Sequence, residues 1–90
     1  MTEGEDIRSG VRSFILDKFL IGEPPESLQD STSLLTTGIL SSLATLELVA
    51  FLEEKYSVTF RPEDLAVDRL DSVDRIVGLV AERRAGAADR

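Results

Sequence analysis

Apolar and polar positions along this chain follow a helical period rather than the strict alternation of strands. Ile7, Val11, Phe14, Ile15 and Leu16 recur on one side of a helical wheel, and Phe19 and Leu20 extend the stripe. Gly22, Pro24 and Pro25 end it, so the pattern predicts a first helix over residues 6–21. Residues 22–41, GEPPESLQDSTSLLTTGILS, hold no period and are rich in Pro, Ser, Thr and Gly. A connection this long is exceptional in a small domain and is usually functional or disordered. Leu28, Leu34, Leu35, Ile39 and Leu40 predict that it is pinned onto a core, and Asp30 reads as a loop cap.

Residues 42–56, SLATLELVAFLEEKY, give the clearest helix. On the wheel Thr45, Leu48, Val49, Leu52 and Tyr56 form a core face with Leu46 at its border. Leu43, Glu47, Ala50 and Glu54 form an outward stripe flanked by Glu53. RPEDL then predicts a short third helix, because Pro62 suits a first helical position and Glu63 and Asp64 suit a first turn. DSVDRIVGLVAERR predicts the last helix, with Asp71 or Ser72 as N-cap and Val73, Ile76, Val77 and Val80 as its stripe, Leu79 beside them. Arg83 and Arg84 are placed to complement its C-terminal dipole. The expectation is an all-α fold, a small four-helix bundle of three longer helices and one short one, with a long loop between the first two. It forms one domain over residues 1–90, with a core over about 5–85 and a frayed tail over 86–90.

Composition narrows the chemistry. With no histidine and no cysteine, the chain lacks the usual general base, a thiolate nucleophile and the commonest metal ligands. No Ser/His/Asp, Cys/His or metal constellation can be assembled, so an enzyme is not expected. PEDLAVDRLD lacks the alternating oxygen ligands and central glycine of a calcium loop. A net charge of −7 disfavours nucleic acid and anionic membrane as partners and favours basic protein surfaces. MTEGEDIRSG has neither the basic start nor the apolar run of a signal peptide, so cytoplasmic residence is expected. The aromatic residues read as core rather than as a ligand cage.

Two serines, Ser41 and Ser42, precede the amphipathic helix. One suffices as an N-cap. A second, exposed in the first turn beside the positive end of the helix dipole, is suited to bear a phosphate ester.

The run GILSSLATLELVAFLEEKYSVTF resembles the acyl and peptidyl carrier proteins, whose recurring motif is Asp-Ser-Leu at the start of the second helix. The resemblance extends over nearly the whole chain. It implies a 4'-phosphopantetheine arm, taken from coenzyme A, on Ser42 and thioester-linked acyl, aminoacyl or peptidyl cargo on that arm. It implies a phosphopantetheinyl transferase as one partner. Acyltransferase, adenylation or ligase, and ketosynthase enzymes with basic docking surfaces would meet Leu43, Glu47, Ala50, Glu53 and Glu54. The pattern looks closer to carriers of specialised biosynthetic pathways than to the housekeeping fatty-acid type, which implies a discrete carrier in polyketide or nonribosomal peptide assembly; a free-standing monomer is expected. Ser41 departs from the family's aspartate: the cap survives, but a carboxylate is lost. The competing reading is an acidic helical adaptor or inhibitor that is never modified, with Ser42 serving the helix start alone.

Overall fold

The computed structural model describes residues 3–88, and side-chain surroundings for residues 4–84. Four α-helices form: α1 (Glu3–Phe19), α2 (Ser42–Tyr56), α3 (Val67–Leu70) and α4 (Val73–Ala88). Among the described residues there is no strand, so the protein is all-α. Among the described residues no helix is long and apolar enough to cross a membrane.

The stripes read from the sequence become one core. Ile7, Val11 and Ile15 of α1 meet Val73, Ile76, Leu79 and Val80 of α4, and Leu48, Val49 and Leu52 of α2 close the cluster. Leu28, Leu34 and Leu40 of the long connection are buried among them, with Leu35 and Ile39 partly so. The connection is therefore a packed element. It also contains a single 3₁₀ turn, Pro25–Ser27, that its lack of period concealed.

Several local expectations are corrected. α1 ends at Phe19 rather than at 21, because Gly22 turns the chain at φ +86° and leaves Ile21 exposed. Pro62–Leu65 forms a 3₁₀ turn, and the short α-helix follows it as α3. Leu46, expected at the core border, is 58 % exposed, while Ala44 is buried in its place. Thr45 is only partly buried, and its hydroxyl donates to the Ser41 carbonyl at 2.8 Å. The backbone of 86–88 continues α4, and 89–90 lie outside the described residues. Arg83 and Arg84 are thus more than a turn from the helix end and serve other contacts. Arg84 stands over the Tyr56 ring at 5.8 Å.

Polar clamps fix how the helices meet. Asp30, expected as a loop cap, instead accepts from Arg8 at 2.9 Å and Arg12 at 3.1 Å, and Arg8 also reaches Asp74 of α4 at 2.5 Å. The Asp30 carboxylate ties the loop to α1, and its backbone carbonyl ties the loop to α4 by accepting from the Asp74 N–H at 3.0 Å. Tyr56 is buried and approaches the α1 backbone so closely that a Cβ on Gly10 would lie 2.2 Å from its hydroxyl. Gly10 is the residue that admits it.

Candidate functional site

The two serines divide their roles. Ser41 has extended backbone angles, and its Oγ accepts from the Ala44 N–H at 3.1 Å, so it is the N-cap of α2. Ser42 is the first helical residue and is exposed. Among the described residues nothing hydrogen-bonds its hydroxyl. The N–H groups of Ser42 and Leu43 lie in the first turn, where no intrahelical carbonyl reaches them. An ester at Ser42 Oγ would add its charge in water beside those donors, without displacing the cap.

The connection delivers this serine in a defined way. Gly38 adopts φ +84°, its N–H reaches the Leu35 carbonyl at 3.2 Å, and Leu40 N–H returns to the Leu34 carbonyl at 3.0 Å. Thr37 donates its hydroxyl to the Ser33 carbonyl. Buried Leu40 then sets the depth at which α2 begins.

The outward stripe is brought together only in part. Leu43 is 68 % exposed and lines a shallow groove with Glu47, Phe19 and Lys18, where the end of α1 meets the start of α2. Ala50 and Glu54 are exposed further along α2. Glu53 differs from them. It is half-buried, and its carboxylate accepts from the Phe60 N–H at 2.9 Å, bracing the chain after α2 against that helix. Ser57 makes this reversal as the left-handed C-cap, at φ +56°.

Two further carboxylates are held firmly. Asp64 is buried and takes a two-pronged contact from Arg83, Nε and Nη2 each at 2.8 Å, plus the Arg61 N–H at 2.9 Å. The Arg83 hydrogen bonds hold its pKa below the usual carboxylate range against the opposing effect of burial. Asp71 accepts from the N–H of Leu35 at 2.7 Å, the N–H of Thr36 at 3.1 Å and the Thr36 hydroxyl at 2.9 Å. The Thr36 N–H leads the donors that lower its pKa. Ser72, not Asp71, caps α4, its Oγ accepting from the Arg75 N–H at 3.2 Å. The sequence marked Asp71 only as a cap candidate. The adjacent Ser72 was the signal that the aspartate is free for another task.

Among the described residues no three His, Cys, Asp or Glu side chains are grouped to hold a metal ion. No protein-family model matches the chain, and no curated protein does either.

Proposed function

We propose that the protein is an acyl, aminoacyl or peptidyl carrier that bears phosphopantetheine on Ser42. The observation that carries this reading is the division of labour at the start of α2: Ser41 caps the helix, and Ser42 is left exposed with a hydroxyl that no described residue hydrogen-bonds. In this reading Ser42 is a substrate and the chain is not an enzyme. A transferase supplies the base and the Mg²⁺. Ser42 Oγ forms a new P–O bond at the pantetheine-side phosphorus of coenzyme A. The pyrophosphate bond breaks, adenosine 3',5'-bisphosphate leaves, and the hydroxyl proton passes to the transferase. The bound arm supplies a terminal thiol that holds cargo as a thioester.

The chain's own residues do the rest. The first-turn N–H groups and the helix dipole offset the phosphodiester charge. Leu46, one turn beyond Ser42, is exposed and offers apolar surface on the same flank. Leu43, Glu47, Ala50 and Glu54 form the face presented to basic partner enzymes, where weak, salt-sensitive contact permits fast release. Glu53 contributes charge at the edge of that face, although one of its oxygens is engaged with Phe60. The setting is cytoplasmic, the protein works as a monomer, and the pathway is polyketide or nonribosomal peptide assembly.

Intact mass after incubation with coenzyme A, Mg²⁺ and a broad-specificity phosphopantetheinyl transferase tests the reading. The expected result is one added phosphopantetheine in the native chain and in Ser41→Ala, and none in Ser42→Ala. Because Ser41 stands where the family has aspartate, a cognate transferase is tried if the broad one fails. No addition by either would leave the adaptor reading, in which Ser42 serves only the helix start.

A further inference from the structure

The turn that delivers Ser42 is gripped from the far end of the chain. Asp71 lies between α3 and the Ser72 cap of α4, and its carboxylate takes three hydrogen bonds from Leu35 and Thr36. Its backbone carbonyl takes a fourth, from the Leu34 N–H at 2.7 Å. From there the restraints run without a gap to the serine. The Gly38 turn closes on Leu35, Leu40 N–H closes on Leu34, the Leu40 side chain is buried, and Ser41 caps α2.

Buried leucines alone would hold this segment at a depth. Apolar contacts are non-directional, so they leave its orientation about the buried side chains free. Hydrogen bonds to a fixed carboxylate are directional and set that orientation. The Asp71 donors are two successive backbone N–H groups and a hydroxyl, so the carboxylate reads the local backbone conformation rather than a single side chain.

We propose that Asp71 is a positioning residue for Ser42: by clamping Leu35 and Thr36 it orients the turn that presents the serine to a modifying enzyme. The modification step rests on the carrier reading, whereas the mechanical link from Asp71 to the start of α2 stands apart from it.

The experiment reads the two separately in the full-length protein. Amide hydrogen exchange is followed at Leu35, Thr36, Ala44 and Thr45, with Ile76 and Val77 of α4 as reporters of global opening. Loading by the transferase is measured alongside and divided into kcat and KM for the carrier. In Asp71→Ala, exchange is expected to quicken about tenfold at Leu35 and Thr36, as for loss of hydrogen bonds to a charged acceptor. A smaller quickening is expected at Ala44 and Thr45, whose N–H groups bond Ser41, with Ile76 and Val77 unchanged. KM for loading rises and kcat holds. Thr36→Val removes one of the three side-chain hydrogen bonds and should give the same pattern at lower amplitude, so it decides the matter if Asp71→Ala does not fold. Quicker exchange confined to Leu35 and Thr36, with Ala44 and Thr45 unmoved, would overturn the link. A uniform rise that includes Ile76 and Val77 in both variants would also overturn it, by making Asp71 a general stabiliser. If the native chain takes no arm, the carrier reading fails, and the exchange pattern still decides the link.

Discussion

Asp64 and Asp71 stand on either side of the four-residue helix α3, and both are held below the usual carboxylate pKa, yet they are held in different ways. Asp64 is buried and answered by a cation, with both guanidinium prongs of Arg83 at 2.8 Å. Asp71 is half-exposed and, among the described residues, answered by neutral donors alone. The first arrangement docks the Pro62–Leu65 turn on α4. A buried carboxylate without its counter-charge is strongly destabilising, so α4 and the Pro62–Leu65 turn must keep their relative placement. The second arrangement shapes a backbone. Losing it relaxes a turn while the core persists, because Leu28, Leu34 and Leu40 still anchor the connection. One aspartate serves the fold, and the other serves the presentation of Ser42.

The largest expected effect tests the first half of that contrast. Arg83→Met strands the Asp64 carboxylate and should lower Tm by on the order of 15 °C, read by circular dichroism. A fall of only a few degrees would mean that water reaches Asp64 and that the two aspartates are alike. Paired asparagine substitutions sharpen the comparison. Asp64→Asn sets amide hydrogens against a guanidinium and removes its counter-charge, whereas Asp71→Asn keeps a carbonyl acceptor for the backbone donors. The first should cost roughly 10 °C in Tm and the second about 3 °C, in keeping with a charged and a neutral loss.

Acid separates the pair from the rest of the surface. Both folded-state pKa values are depressed, so both groups contribute stability above the unfolded aspartate value of about 3.9 and lose it as pH falls through the lower folded values. Stability should therefore fall below about pH 4. In Asp71→Asn the remaining acid loss should follow Asp64, and a melt series from neutral pH downward checks it. Gly10→Ala probes packing at the other end of the core. A helical alanine gains about 1 kcal/mol over glycine, but overpacking against the Tyr56 hydroxyl costs about 1–3 kcal/mol. A net loss of about 1 kcal/mol in urea unfolding is expected, and a net gain would show that the tyrosine gives way. The smallest effect belongs to the outward stripe. Glu47→Lys and Glu54→Lys should leave the melt within about 0.5 kcal/mol of native, as surface changes do, while weakening transfer to the basic partner enzymes that the proposed carrier function requires. Glu53→Lys should lower the melt more than either, because its carboxylate braces Phe60.

Much of α2 was legible from its own residues. The helix over 42–56, the serine at its first position and the stripe of Leu43, Glu47, Ala50 and Glu54 all follow from periodicity and capping, which act within a turn or two of chain. Where the wheel failed, at the exposed Leu46 and the buried Ala44, the cause is the position of neighbouring helices, about which a wheel carries no information. The long connection shows the same boundary. Its leucines announced burial, but nothing in TSLLTTG says that a carboxylate from residue 71 closes on Leu35 and Thr36. Arg83 was assigned to a helix dipole by the same local logic and instead spans two elements to reach Asp64.

The sequence by itself determined that this protein is helical, where α2 begins, and that Ser42 is the second of two serines at that start, with neither histidine nor cysteine to act on it. Backbone geometry and local hydrogen bonding set these features over a few residues. Only the tertiary structure decided which acids are grasped and which face water, that Glu53 is braced while Glu47 and Glu54 are not, and that Asp71 reaches the turn before Ser42. Those outcomes depend on which distant segments meet, and burial and pairing are properties of the meeting.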